Sequence, residues 1–298
     1  MPVAVFAHHD SLLHNAGSGH PEAPGRLDAV LARLAGDPAA AIQVPARADR
    51  EAVLAVHPAE HLLMLEGLSR RGGGAIDADT VLNESSWPAA MVAAGATIAA
   101  VRHAVGGKGN AFAATRPPGH HASAAQAMGF CLLNNVVIGA REARRLGAMR
   151  VLIVDWDVHH GNGTQALVER DETIRFVSLH QSPWWPGTGA ASERGVGNVF
   201  NVPRPPGLPA ERYVEDLWSA VTQATSGWTP DLVLISAGFD AMRGDPLGGF
   251  TLEPEHYAAL TGRLRDRLAP APLVGVMEGG YIPARLADGV AAHVRALS

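Results

Sequence analysis

Between Val151 and Thr164 the chain reads Val-Leu-Ile-Val-Asp-Trp-Asp-Val-His-His-Gly-Asn-Gly-Thr. Its first four residues are apolar and mostly β-branched, which predicts a strand buried on both faces, the kind found in parallel sheets. That strand runs directly into Asp155, Asp157, His159 and His160. A carboxylate at the end of a buried strand is costly unless a partner compensates its charge. Asp157 and His159 are two residues apart, so on an extended backbone their side chains face the same way. A carboxylate and an imidazole converging in this manner are half of a divalent metal site. The plainer alternative is a strand end with solvated acids and a core histidine.

Other segments repeat the pattern of strand followed by polar motif. Ala111 to Thr115 is a short apolar strand leading into Arg116-Pro-Pro-Gly-His-His-Ala122, where the prolines fix the backbone and present His120 and His121 on a rigid turn. Leu232 to Ile235 leads into Ser236-Ala-Gly-Phe-Asp240, and Leu273 to Met277 into Glu278-Gly-Gly-Tyr281. Further strands are expected at Val3 to Ala7 and at Ile174 to Leu179, the latter ending at His180. Periodicity and start signals place helices after Pro24 and Pro58, from an Asp49 cap through Val56, and along the small-residue stretch from Trp87 to Val101. Four more are expected over 132–146, 211–225, 254–268 and 283–297. Arg71 to Gly74 reads as a flexible turn, and Arg141, Arg144 and Arg145 as a solvent-facing stripe. His20, Glu22 and Arg26 fit a solvated helix start as well as a site. Strands alternating with helices predict a mostly parallel sheet covered on both faces. No linker or repeat divides residues 1–298, so one domain is the simplest organisation. Open α/β sheets place their sites at the carboxyl edge of the strands. One polar motif there is incidental; four in one chain predict a single assembled active site.

Composition narrows the function classes. Of 298 residues, 47% are hydrophobic and 18% charged, a soluble globular balance. Net charge is −5 and no Lys/Arg block occurs, so there is no electrostatic footprint for nucleic acid or an anionic membrane. The single cysteine, Cys131, rules out an intrachain disulfide framework and makes a reducing cytoplasm the expected compartment. The N-terminus lacks a basic leader, and no apolar run approaches the ~18 residues of a spanning helix. Gly161 to Ala166 spells G-x-G-x-x-A, but it begins past the strand end, so those glycines read as turn formers rather than a dinucleotide fingerprint.

The motifs carry a defined chemistry. Asp157, His159 and Asp240 make a set of three ligands with a position left for water or a substrate oxygen, as catalytic metal sites require. An oxygen-rich set suits Zn2+ and does not exclude Fe2+ or Co2+. His120 and His121 then serve as a base and its electrostatic partner for an attacking water, with Asp155 and Asn162 holding the imidazole tautomers. Tyr281, behind two glycines, is suited to donate to a carbonyl oxygen. Phe130 and the Trp184–Trp185 pair either line an apolar channel or close over the core. These parts compose metal-assisted hydrolysis of an amide without a covalent nucleophile. No G-x-S-x-G, H-E-x-x-H or Walker A pattern is present.

In this order, RPPGHHA (116–122), GFC (129–131), DWDVHHGNGT (155–164), SAGFDA (236–241) and EGGY (278–281) closely resemble the zinc-dependent histone deacetylase superfamily. HPEAPGRL (20–27) and PGTG (186–189) extend the resemblance over nearly the whole chain, and the variant is similar to bacterial class II-like deacetylases and acetylpolyamine amidohydrolases. The resemblance implies an arginase-like three-layer α/β fold whose central, mostly parallel sheet has about eight strands. It implies a zinc held by Asp157, His159 and Asp240, a catalytic pair in His120 and His121, and Tyr281 as the residue that polarises the carbonyl. It also implies a structural K+ near Asp155, Asp157, His159, Ser178 and Leu179, and a substrate channel bounded by Gly129, Phe130, Trp185 and Gly279.

Two positions depart from the family pattern. Asn162 stands where many class I members carry an aspartate beside the second histidine, so His121 is expected to have the lower pKa of the pair. Trp185 stands where a channel phenylalanine is usual, which narrows or reshapes the channel. Implied substrates are acetyl-lysine in peptides or proteins, or small acetylated amines. Polyamine enzymes tend to carry a long insertion near the N-terminal loops that this compact chain lacks, which favours acyl-lysine. A binuclear arginase-type hydrolase shares the fold but needs bridging acids where Gly161 and Gly238 stand. A non-catalytic acyl-lysine-binding module would have lost Tyr281, the histidine pair or a metal ligand, and none is lost. The native metal and the oligomeric state, a dimer included, stay open.

Overall fold

A computed structural model describes residues 1–298. Ten strands form: β1 (Val3–Phe6), β2 (Ala40–Gln43), β3 (Gly73–Ala75), β4 (Val81–Asn83), β5 (Ala111–Ala113), β6 (Val151–Asp155), β7 (Ile174–Gln181), β8 (Val199–Arg204), β9 (Leu232–Ala237) and β10 (Leu273–Met277). The helices are α1 (Gly25–Leu34), α2 (Arg50–Leu54), α3 (Ala59–Arg70), α4 (Ser86–Val105), α5 (Asn135–Arg145), α6 (Asn162–Val168), α7 (Ala210–Thr225), α8 (Pro254–Leu268) and α9 (Pro283–Leu297). Eight strands make one sheet in the order β2-β1-β5-β10-β9-β6-β7-β8, with every neighbouring pair parallel. The expected arginase/deacetylase-like α/β architecture is therefore the observed one.

The pleat explains the two cores. Leu152 and Val154 of β6, with Val233 and Ile235 of β9, point to a core completed by α1, α7, α8 and α9. Val151, Ile153, Leu232 and Leu234 point to the opposite core, against α4 and α5. Fully burying each such side chain contributes about 1.5–3 kcal/mol. Helix α4 meets the sheet and α5 through alanines, and Gly139 of α5 lies so close that a Cβ there would fall 2.8 Å from Thr97.

Helix α4 also corrects one expectation. It is 20 residues long with a mean hydropathy of 1.3 over its best window, long and apolar enough by length and composition to cross a membrane. In the fold, 72% of that window is buried inside the protein. The small residues that make it apolar are the ones that let it pack this closely.

Other differences are local. Strands β2 and β8 escape a hydropathy reading because both are edge strands: β2 is rich in alanine, a weak strand former, and β8 carries Pro203 where no inner strand would. Gly73 and Gly74 do not form a free turn but pair with Leu82 and Asn83 in the β3–β4 hairpin. Helix α5 starts at Asn135 rather than Leu132, because Asn134 caps it by accepting from the Val137 N–H (3.1 Å). Asp49 precedes α2 without a side-chain cap bond, and α2 ends at Leu54. Strand β7 runs on to Gln181, so His180 lies within it. The arginine stripe on α5 is ion-paired: Arg141 and Arg144 reach Asp171, and Arg145 reaches Glu142.

Candidate active site

The four polar motifs follow β5, β10, β9 and β6, which are consecutive in the sheet. Chain order jumps there, with β9 and β10 inserted between β6 and β5, and such a switch point is where open α/β sheets bind ligands. The turn after β5 is pinned from β10. The Glu278 carboxylate is buried and accepts from the backbone N–H groups of Gly119 (2.7 Å) and His120 (3.3 Å) and from the Ser236 hydroxyl (3.2 Å). Burial pushes its pKa up to about 7. Glu278 thus holds the backbone that presents the histidine pair.

The two histidines have opposite environments. His120 Nδ1 lies 3.1 Å from Asp155 Oδ2, and its Nε2 lies 3.7 Å from Asp157 Oδ1. Burial alone would lower its pKa, but the Asp157 and Asp155 charges hold it up at about 10. His121 Nδ1 lies 2.7 Å from Asn162 Oδ1, a neutral acceptor. With that oxygen accepting, Nδ1 carries the proton and the lone pair sits on Nε2. Burial and the adjacent His120 and His159 rings push His121 well below the usual imidazole range. The pair therefore sets one imidazole against a carboxylate and the other against a neutral amide, with 3.9 Å between ring centroids.

Asp157, His159 and Asp240 bring one donor atom each to within 4.8 Å of the others, all buried. His159 Nδ1 lies 3.1 Å from Asp157 Oδ1 and 3.2 Å from Asp240 Oδ2. The far oxygens are fixed by backbone: Asp157 Oδ2 accepts from Gly279 N–H (2.9 Å) and Asp240 Oδ1 from Val158 N–H (2.9 Å). Asp240 Oδ2 is buried with no hydrogen-bond partner. Burial and the Asp157 charge push the Asp240 pKa up to about 7. Burial also opposes ionisation of Asp157, yet the His120 and His159 charges hold it well below the usual carboxylate range. An oxygen left bare among converging donors fits a divalent cation, which would neutralise both carboxylates at once. Glycines permit this crowding. A Cβ at Gly279 would fall 2.1 Å from Asp240 Oδ2, one at Gly238 2.2 Å from Asp157 Oδ2, and one at Gly161 2.2 Å from Asp155 Oδ2.

A cavity of about 220 Å³ opens onto His121 and His159. Its walls are Gly129, Phe130, Trp184, Trp185, Leu247 and Tyr281, with Asp79 also lining it. Both tryptophans thus wall the cavity rather than closing over the core. The Trp185 ring meets His121 edge-on at 4.6 Å. Gly129 adopts φ +55°, and a Cβ there would fall 2.5 Å from the Trp185 ring, so only glycine fits. Phe130 is itself left-handed (φ 66°), a strain of about 1 kcal/mol or more retained at the cavity wall. Gly279 does not line the cavity, contrary to expectation; it lies against the Asp157 and Asp240 carboxylates and donates its N–H to Asp157.

Two supporting networks were not visible in the sequence. Glu22, Arg26 and Arg116 are fully buried, so the solvated-helix-start reading fails for Glu22 and Arg26. Glu22 pairs with Arg116 (2.9 Å) and Arg26 (3.2 Å), and Arg116 and His14 hold its pKa down at about 2 against burial. Arg26 donates to Gly280 O (2.6 Å) and stacks over the Tyr281 ring at 4.8 Å. His20 remains near the surface, edge-on to Phe130 at 4.8 Å. The second network tethers the tryptophan loop: His160 Nδ1 meets Thr188 Oγ1 (2.8 Å), and His180 Nε2 meets Gly189 O (3.0 Å). Burial lowers these imidazoles to about 4 and about 3, so both are neutral.

A family model described as the histone deacetylase domain matches residues 20–297. The chain is 41% identical over 275 residues to histone deacetylase 15 of Arabidopsis thaliana, a match covering 88% of this chain and 50% of that protein. It is 37% identical over 279 residues to the histone deacetylase-like amidohydrolase of Pseudomonas aeruginosa, covering 89% of this chain and 73% of that one. The crystal structure of the HDA15 HD domain aligns with a TM-score of 0.95 at 37% identity, over 99% of this chain and 90% of that chain. With a match of this extent in sequence and in fold, the chain belongs to the histone deacetylase family of metal-dependent deacetylases.

Proposed function

We propose that this chain uses Zn2+ to remove acyl groups from lysine side chains in peptides or proteins. The observation that carries this reading is the small aromatic cavity that ends on a buried Asp/His/Asp set beside one neutral imidazole. At about 220 Å³ it is smaller than the roughly 300–1,000 Å³ of drug-sized sites, which suits a slender chain tipped by an amide. Asp157, His159 and Asp240 would hold the zinc, which when bound supplies Lewis acidity towards a carbonyl oxygen and towards water. His121 is the base, its free Nε2 set by the Asn162 hydrogen bond on Nδ1. His120, whose Nδ1 faces the Asp155 carboxylate, stabilises negative charge developing beside it and bears on the base through ring contact. Tyr281 donates its hydroxyl to the substrate carbonyl, while Phe130 and Trp185 exclude water around the acyl chain. A structural K+ is supported by Asp155 and Ser178 facing each other in register between β6 and β7, next to Leu179, with Asp157 and His159 following β6. A small cationic acetylated amine is the second reading, favoured by the Asp79 carboxyl on the cavity wall.

Turnover of an acetyl-lysine peptide, a trifluoroacetyl-lysine peptide and N-acetylputrescine by the zinc-loaded protein and its Tyr281→Phe variant tests the proposal. Peptide turnover should fall about 10²-fold or more in the variant. Turnover of the polyamine alone moves the substrate to small amines. No turnover of any of them by metal-loaded protein refutes the proposal.

A further inference from the structure

Tyr281 follows Gly279 and Gly280, the residue pair least able to fix what comes after it, and Gly280 has a left-handed φ of +122°. Its orientation must therefore come from neighbours. Arg26 supplies one side, over the ring. The other side is Asp245, in the loop between β9 and α8. Asp245 Oδ2 accepts from the Tyr281 backbone N–H (2.8 Å), and Oδ1 accepts from the Leu247 N–H (3.0 Å). The Leu247 carbonyl in turn accepts from Trp184 Nε1 (2.8 Å). Tyr281, Leu247 and Trp184 all wall the cavity, whereas Asp245 is buried behind them and does not line it.

We infer that Asp245 is a positioning residue: one carboxylate that sets Tyr281 and the Leu247–Trp184 wall in a single arrangement. This rests on the reading of Tyr281 as the carbonyl donor. The carboxylate is suited to the task because it has two oxygens and each is committed to a different segment. Alanine removes both acceptors, and asparagine keeps one. A hydroxyl displaced by about 1 Å can lose up to roughly 10²-fold in rate, so a backbone tether behind Tyr281 acts on kcat without touching substrate.

The experiment compares Asp245→Ala and Asp245→Asn, each in the wild-type and Tyr281→Phe backgrounds, as zinc-loaded proteins with the acyl-lysine peptide. Asp245→Ala should lower kcat about tenfold or more, with Asp245→Asn between it and the wild type. In the Tyr281→Phe background the same change should move kcat by less than about twofold, because the group being positioned is gone. Hydrogen exchange supplies a readout independent of substrate: amides 278–283 should exchange faster in the Asp245 variants while those of 115–122 stay as they were. Losses that multiply across the double variant, or unchanged exchange at 278–283, would overturn the proposal. If Asp245→Ala does not fold, Asp245→Asn carries both measurements. Absence of turnover in the wild type refutes the function proposed above, and the exchange data still decide for or against Asp245.

Discussion

His293 of α9 packs edge-on against Trp156, the residue between Asp155 and Asp157, with 5.4 Å between ring centroids. Thr261 donates its hydroxyl to Tyr257 O (2.7 Å) and so accepts from Nδ1–H of His293 (2.7 Å). That leaves Nε2 bearing the lone pair, buried and without a partner. A second proton on Nε2 would find no acceptor, and burial pushes the His293 pKa from 6.5 down to about 3. Between pH 3 and 6.5 the unfolded chain then binds a proton that the folded chain refuses. Stability is complete above the unfolded value and is withdrawn as pH falls towards the folded one. At pH 5 the gap is about 1.5 pH units, or about 2 kcal/mol at 1.36 kcal/mol per unit. His293→Leu abolishes this term, losing about 1 kcal/mol for the Thr261 hydrogen bond at pH 7. Urea unfolding of both proteins at pH 7 and pH 5 is the assay. Wild type should lose about 2 kcal/mol more than the variant between the two pH values. The other buried histidines whose pKa burial lowers, His57, His61, His121, His160 and His180, titrate alike in both proteins and cancel. A stability difference independent of pH would refute the reasoning.

Two shorter predictions concern the site and its support. Asn162→Asp places a charge 2.7 Å from His121 Nδ1, where Asp155 already holds His120 up, so the acid limb of the kcat/KM profile should move up by about one pH unit or more. A profile that stays in place would remove His121 from the role of base. Glu22→Gln leaves Arg116 and Arg26 buried without their counter-charge and should cost about 3 kcal/mol or more by urea unfolding. A loss below about 1 kcal/mol would mean that backbone carbonyls alone satisfy the two guanidinium groups.

How much was legible in the sequence follows from how local each signal is. The inner strands β6, β9 and β10 could be read directly because both their faces are buried and their residues are continuously apolar. Edge strands β2 and β8 lack that signature. Asp157, His159, Asp240 and the histidine pair stood out because each polar group follows an apolar run in chain order. Glu22, Arg26 and Arg116 did not, since a helix-start acid and its i+4 arginine look the same whether solvated or sealed. Their burial depends on segments as distant as Glu278 and Gly280 closing over them. Asp245 was hidden in the same way, a loop aspartate whose partners lie 36 residues further along the chain and two residues ahead.

Burial and position at the strand edge do not by themselves tell a metal donor from a structural acid. Glu278 and Asp240 share both properties: each is fully buried just past an inner strand, and burial pushes each up to about 7. Their partners separate them. Glu278 has both oxygens engaged, by Gly119, His120 and Ser236, and its work is to hold a turn. Asp240 has one oxygen engaged by Val158 and the other bare, facing the imidazole of His159. A buried acceptor without a donor costs about 1–3 kcal/mol, and more when it is charged. What sets Asp240 apart is that this oxygen also converges with donor atoms of Asp157 and His159, an arrangement a cation would fill and one that Glu278 lacks.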